Sequence, residues 1–228
     1  MTRAGADVAL PRGLLSLLCL LAASMVVSML GLYAATGVSQ DALQFFHRPE
    51  DYAALLLQAP QVLKLAVALD TAFLFCYGAA FVVLGSQLHA LGRPRALVLP
   101  GTGLMVATAL LDLVENMHFL AMRARAGAGE PPGAGEIHGQ VWESLVKFHV
   151  SYLGMFLLGW AVPTRTAAEQ ALALLLRWVQ WPAGIALYVV PAALVKPFAF
   201  GRAAFYVAAL LLVALIWRPR AGGSGAPA

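Results

Sequence analysis

Six stretches of this chain, at about 13–35, 61–91, 96–122, 142–162, 168–195 and 197–217, are long and apolar. A helix rising 1.5 Å per residue crosses a bilayer with about 20 mainly apolar residues, so each stretch qualifies as a span. No other feature restricts the fold as much. The chain is 61% hydrophobic and 11% charged, where soluble domains have roughly 45–50% and about 25%. The sequence therefore predicts an all-α integral membrane protein: one multi-pass domain over 1–228, a single bundle of about six transmembrane helices, and a flexible C-terminal tail over 219–228.

Turn chemistry places the connections. Gly92-Arg93-Pro94-Arg95 stops a helix, because proline lacks the N–H and pushes the preceding residue off helical angles. Spans two and three then lie antiparallel. Pro49 interrupts residues 36–60, and Glu50 to Gln58 can form a short interfacial helix. Residues 123–141, with Gly127, Gly129, Pro131, Pro132, Gly133 and Gly135, read as a flexible, solvated loop. The fifth stretch contains Arg177, Trp178, Trp181 and Pro182. One kinked, tilted helix is the preferred reading; the alternative is a surface helix over 166–177 and a span starting at Trp178. Lys196 and Arg202 flank the connection to the sixth span and can snorkel to the interface. The first stretch follows Arg3 and Arg12, as in a signal sequence, but outruns a signal core of about 7–15 residues and is expected to be retained.

The net charge of +4 does not point to nucleic acid. The basic residues sit at segment ends, as in Arg93/Arg95, Arg123/Arg125 and Arg218/Arg220, where they anchor and orient spans. Their distribution favours both termini inside by one residue. Cys19 and Cys76 stand alone in apolar segments, with no C-x-x-C pairing signal.

The third span contains Leu111-Asp-Leu-Val-Glu-Asn-Met-His-Phe119. Ionisable groups are costly in a bilayer and face the bundle interior by default. Asp112, Glu115, Asn116 and Phe119 share one helical face at i, i+3, i+4 and i+7. His118 lies about 120° around the helix from Asp112, at the edge of that face. In span two, Asp70, Phe73 and Tyr77 share a face; in span four, Glu143, Lys147 and Ser151 form a stripe. Counted from segment ends on one side, Asp112 lies about 15 Å deep, Glu115 about 10 Å, Asp70 about 13 Å and Lys147 about 7 Å. One pocket in one leaflet can therefore collect Asp70, Asp112, Glu115, Asn116, Lys147 and Tyr77. Lys147 is expected to pair with one acid while another keeps its proton.

This pattern suits a membrane-embedded enzyme that performs acid–base chemistry, of cyclase or isomerase type, on a lipid or isoprenoid substrate without a cofactor. Asp112 or Glu115 would donate a proton, Asp70 accept one, Asn116 orient, and Lys147 tune. His118, Phe119, Phe73 and Tyr77 would contact or tune the substrate, and Phe75, Phe81 and Phe148 could line a chain pocket. Two alternatives are a proton- or ion-coupled small transporter and an assembly subunit whose charges only fix packing. No metal is expected. Zinc or haem through His118 and His149 is the weaker option, since Glu115-x-x-His118 occurs once and His149 points away from Lys147. The expected partners are membrane lipid and a lipophilic small molecule.

Overall fold

The computed structural model describes residues 4–186, 189 and 192–219, which are helical throughout apart from short connections; no strand occurs among them. Helix α1 is Ala4–Thr36, α2 Pro49–Leu57, α3 Pro60–Ala90, α4 Arg95–Gly127 and α5 Ala134–Ala161. After these come α6, Ala167–Leu174, a π-helical turn Leu175–Val179, α7, Gln180–Ala186, and α8, Ala192–Ile216. Four of the helices are long and apolar enough to cross a membrane: α1 from Arg12, α3, α4, and α8 from Phe198. The sequence reading of a multi-pass helical membrane protein stands on these.

The helices outrun several expected boundaries. The anticipated loop over 123–141 shrinks to residues 128–133, because α4 continues to Gly127 and α5 starts at Ala134. Burial outweighs the glycines there. Ile137, Gln140 and Val141 are fully or nearly fully buried, and Arg125 pairs with Glu136. The fifth stretch is broken by the π turn, a wide turn that kinks helices, and α7 ends at Ala186 rather than near 195. Arg202 consequently lies well inside α8, not at a connection. Residues 220–228, the bulk of the expected flexible tail, lie outside the described residues, as do the junction residues 187, 188, 190 and 191 and the side chain of Lys196.

Neighbouring helices close a ring in the order α1, α3, α4, α5, the π turn with α7, α8, and back to α1. The turn between α3 and α4 ends in a Schellman-type cap. Gly92 adopts φ 69°, and the Arg93 N–H donates to the Leu88 carbonyl at 3.0 Å; a left-handed residue here suits glycine. Helices α4 and α5 pack antiparallel, with Gly101 against Leu158, Asp112 against Lys147 and Glu115 against Ser144. The close approach uses small residues, as helix pairs in membranes do. A Cβ on Gly101 would lie 3.3 Å from the Gly154 carbonyl, and one on Gly154 would lie 2.9 Å from Met105 Sδ.

The outer surface is apolar, and a cluster of polar and charged groups is enclosed within an otherwise apolar interior. On α4, Leu110, Val114 and Met117 are more than half exposed, while Asp112, Glu115 and Asn116 are buried. A soluble protein inverts this arrangement. The segment from 37 to 59, with its 3₁₀ turn Gln40–Gln44 and helix α2, folds over the end of the bundle where α1 finishes and α3 begins. Beneath it, Val38, Leu43, Tyr52, Leu56, Phe119 and Ile137 form a separate apolar cluster.

Candidate functional site

The charged and polar groups of the interior come mainly from three helices, α3, α4 and α5. On α5, Gln140, Ser144, Lys147 and Ser151 are all buried and recur at i, i+4, i+7 and i+11, one helical face. That face meets Asp112, Glu115 and Asn116 of α4. Lys147 Nζ donates to Asp112 Oδ1 at 2.6 Å and to Glu115 Oε2. Two carboxylates therefore share one ammonium, and all three side chains are at least nine-tenths buried. Such a charge cluster tolerates burial only when every remaining lone pair is satisfied.

Glu115 is satisfied in full. Besides Lys147, it accepts from Ser144 Oγ and from Gln44 Nε2 at 3.3 Å. Ser144 in turn accepts from Gln140 Nε2 at 2.9 Å, and the Tyr52 hydroxyl reaches Gln140 Oε1 and the Leu43 carbonyl, each at 2.9 Å. Burial, reinforced by the Glu115 charge, pushes the Tyr52 hydroxyl upward from its ordinary pKa, so it stays a donor. A continuous hydrogen-bonded chain thus runs from α2 into the bundle. Asp112 completes its second oxygen with the Tyr77 hydroxyl at 2.9 Å.

Asp70 is held differently. Asn116 Nδ2 donates to its Oδ2 at 2.8 Å and to Thr71 Oγ1 at 3.2 Å. Among the described residues no cation pairs with Asp70.

These groups border a cavity of about 630 Å³ in the half of the ring nearest the 37–59 segment. Asp70, Asp112, Lys147, Tyr77 and Ser151 line its polar side. Val26, Leu30, Phe73, Phe148, Met155 and Phe200 supply apolar wall. The Phe73 ring stands 4.8 Å from Tyr77 and 5.7 Å from Tyr206. Residues 37–42 form part of the boundary, and Asp41 faces Arg202 of α8 at 3.7 Å. Arg202 also lies over the Phe148 ring at 4.4 Å, with Lys147 at 4.5 Å from the same ring.

The sequence-derived candidates divide accordingly. Asp70, Asp112, Lys147, Tyr77, Phe73 and Phe148 border the cavity. Glu115 and Asn116 are completely buried but lie behind its wall, reaching it through Lys147 and Asp70. Phe119 is withdrawn into the apolar cluster under the 37–59 segment. His118 points away, with Nδ1 2.9 Å from Glu143 and Nε2 3.5 Å from Glu136. That contact takes Glu143 out of the expected stripe with Lys147. Phe75 is 63% exposed and faces outward, and Phe81 belongs to the main core. Along the observed helices, Lys147 lies about 20 Å from the start of α5 and Asp70 about 15 Å from the start of α3.

The histidines do not converge. His149 Nδ1 lies 2.7 Å from the Leu145 carbonyl of its own helix, while Glu115 and His118 diverge to different partners. No group of three or more His, Cys, Asp or Glu is placed to hold a metal among the described residues.

Sequence reasoning missed Gln140 and Ser144, although their spacing from Lys147 was a usable signal. It also missed Gln44, Tyr52, Arg202 and Tyr206. Gln44 meets Glu115 across 71 positions, and no local periodicity announces such a contact. Comparison with known protein families, curated proteins and solved structures finds no match to this chain.

Proposed function

We propose that this protein spans the membrane six times and is a membrane-embedded acid–base enzyme, of isomerase or cyclase type, acting on a lipophilic substrate of lipid or isoprenoid character. The six spans are α1, α3, α4, α5, the stretch that starts at the π turn and contains α7, and α8. Helix α5 joins the four most apolar helices because it packs along α4 and its one buried cation, Lys147, is neutralised within the bundle.

The observation that supports this reading is a cavity of about 630 Å³ with apolar and aromatic walls and a carboxyl–ammonium cluster on one side. Small-molecule sites have this volume and this ratio of apolar wall to a few directed polar groups. In the proposed roles, Asp70 is the proton donor. It borders the cavity and, among the described residues, is held by the Asn116 amide without an ion-pair partner. Asp112 suits a donor less well, because both its oxygens already accept from Lys147 and Tyr77. Glu115 is a positioning residue that fixes Lys147.

A proton delivered from Asp70 to a substrate double bond leaves a carbocation. Loss of a proton from a neighbouring carbon back to Asp70 then restores neutrality and regenerates the acid, so the product is an isomer of the substrate. Phe73, Tyr77 and Tyr206 line the same cavity, and an aromatic ring face stabilises a nearby cation.

The test compares molecules bound to wild type and to Asp70→Asn, purified in lipid nanodiscs from the same host. Chromatography with mass spectrometry is expected to find two species of identical mass and different retention, product on wild type and substrate on the variant. The same species on both proteins, or no lipophilic molecule on either, refutes the reading.

A further inference from the structure

At the opposite end of the bundle from the cavity, two arginines converge on the last turn of α5. Arg93, in the turn between α3 and α4, donates Nε to the Ala161 carbonyl at 2.6 Å. Arg177, in the π turn, donates Nε to the Gly159 carbonyl at 2.8 Å. Capping a helix C-terminus with cations is favourable, but it occupies one N–H of each guanidinium and leaves the other four. Neither arginine has a carboxylate partner among the described residues. The acid nearest in sequence, Glu169, is committed elsewhere, accepting from the Arg165 and Thr166 backbone N–H groups in a capping box.

The surroundings are built to hold Arg177 in place. The π turn packs against α5 at Gly159, where a Cβ would lie 3.0 Å from Arg177 Cγ and 3.0 Å from Leu176 Cβ. The guanidinium lies 4.2 Å from the Trp160 ring, and Trp160 meets Trp178 edge-on at 6.2 Å. Both tryptophans are substantially exposed, 42% and 52%. Outward tryptophans mark the depth of lipid headgroups. Beside them, a cleft of about 210 Å³ is lined by Thr164, Gln170, Ala173, Leu174, Arg177 and Trp178. Single π turns in helices recur at functional sites.

We propose that this cleft binds the phosphate group of a membrane lipid. Arg177 makes the contact, Arg93 adds a second positive charge, and the tryptophans flank the glycerol and acyl chains. Arginine offers phosphate a planar pair of donors that lysine cannot, and basic pockets between spans take anionic headgroups. This site does not depend on the cavity chemistry.

The experiment measures phosphatidylglycerol bound to the detergent-purified full chain by native mass spectrometry, and labelled inorganic phosphate by equilibrium dialysis. Wild type is expected to retain one lipid. Arg177→Gln should weaken it by about fivefold to tenfold, as loss of one cationic contact at a membrane surface implies. Arg177→Lys should fall between, Arg93→Gln should give a smaller loss, and Arg95→Gln should give none. If inorganic phosphate binds and displaces the lipid, the phosphate chemistry holds and its source is free anion. Undiminished lipid binding by Arg177→Gln overturns the proposal, as does failure of wild type to bind either probe. Should Arg177→Gln not fold, undiminished binding by Arg93→Gln overturns it equally.

Discussion

Replacing Lys147 with methionine tests the central cluster most directly. Lys147 is 4% exposed, and its ammonium is shared between Asp112 at 2.6 Å and Glu115. Methionine matches the apolar stem and removes only the charge and its donors. Two carboxylates, 10% and 0% exposed at their side chains, then lose the one cation paired with them among the described residues. Removing one partner of a buried ion pair costs about 3–5 kcal/mol, most of it from the stranded charge. An ordinary interhelical hydrogen bond in a membrane averages only about 0.6 kcal/mol, so the two accounts separate cleanly. Glu115→Gln alone should cost much less, because Lys147 and Asp112 remain as a one-to-one pair. In the Lys147→Met background Glu115→Gln should be neutral or stabilising, which gives a coupling well above zero in a double-mutant cycle. The assay is reversible unfolding in mixed micelles titrated with denaturing detergent, followed by far-ultraviolet circular dichroism. A cost below about 1 kcal/mol for Lys147→Met, the scale of an interhelical hydrogen bond, would refute the argument, as would additive behaviour of the two substitutions.

Other outcomes follow from single contacts. Gly154→Leu drives a side chain into Met105 and the Gly101 carbonyl; overpacking of this kind costs about 1–3 kcal/mol, visible as a lower melting temperature in detergent. Tyr52→Phe strips the hydroxyl from the Leu43 carbonyl and Gln140 and should cost about 1–3 kcal/mol for the buried groups left without it. It should also loosen the 37–59 segment, read as faster hydrogen exchange there. His118→Ala removes only the half-exposed contacts to Glu143 and Glu136. Its stability change should stay within about 1 kcal/mol, and the molecule bound in the cavity should be the wild-type one; loss of that molecule would return His118 to the site.

The sequence by itself determined the solvent in which this chain folds and the helical character of its segments. Long uncharged runs in a medium without water have few ways to satisfy their backbones. It also indicated which helical faces turn inward, because a charge inside such a run cannot face lipid cheaply. Asp70, Asp112 and Lys147 were legible on those grounds. What tertiary structure alone decided was how these groups divide their partners. Periodicity gives a direction around a helix, not a contact across helices. It could not tell that Glu115 is sealed behind the wall by Gln44, that Asp112 is saturated by Lys147 and Tyr77, or that Asp70 remains open to the cavity. Nor could it place Arg202, whose burial in α8 depends on Asp41 and Phe148 arriving from distant segments. Burying a charge depends on the few partners within about 4–6 Å, and in a ring of helices those partners come from parts of the chain that local pattern does not connect.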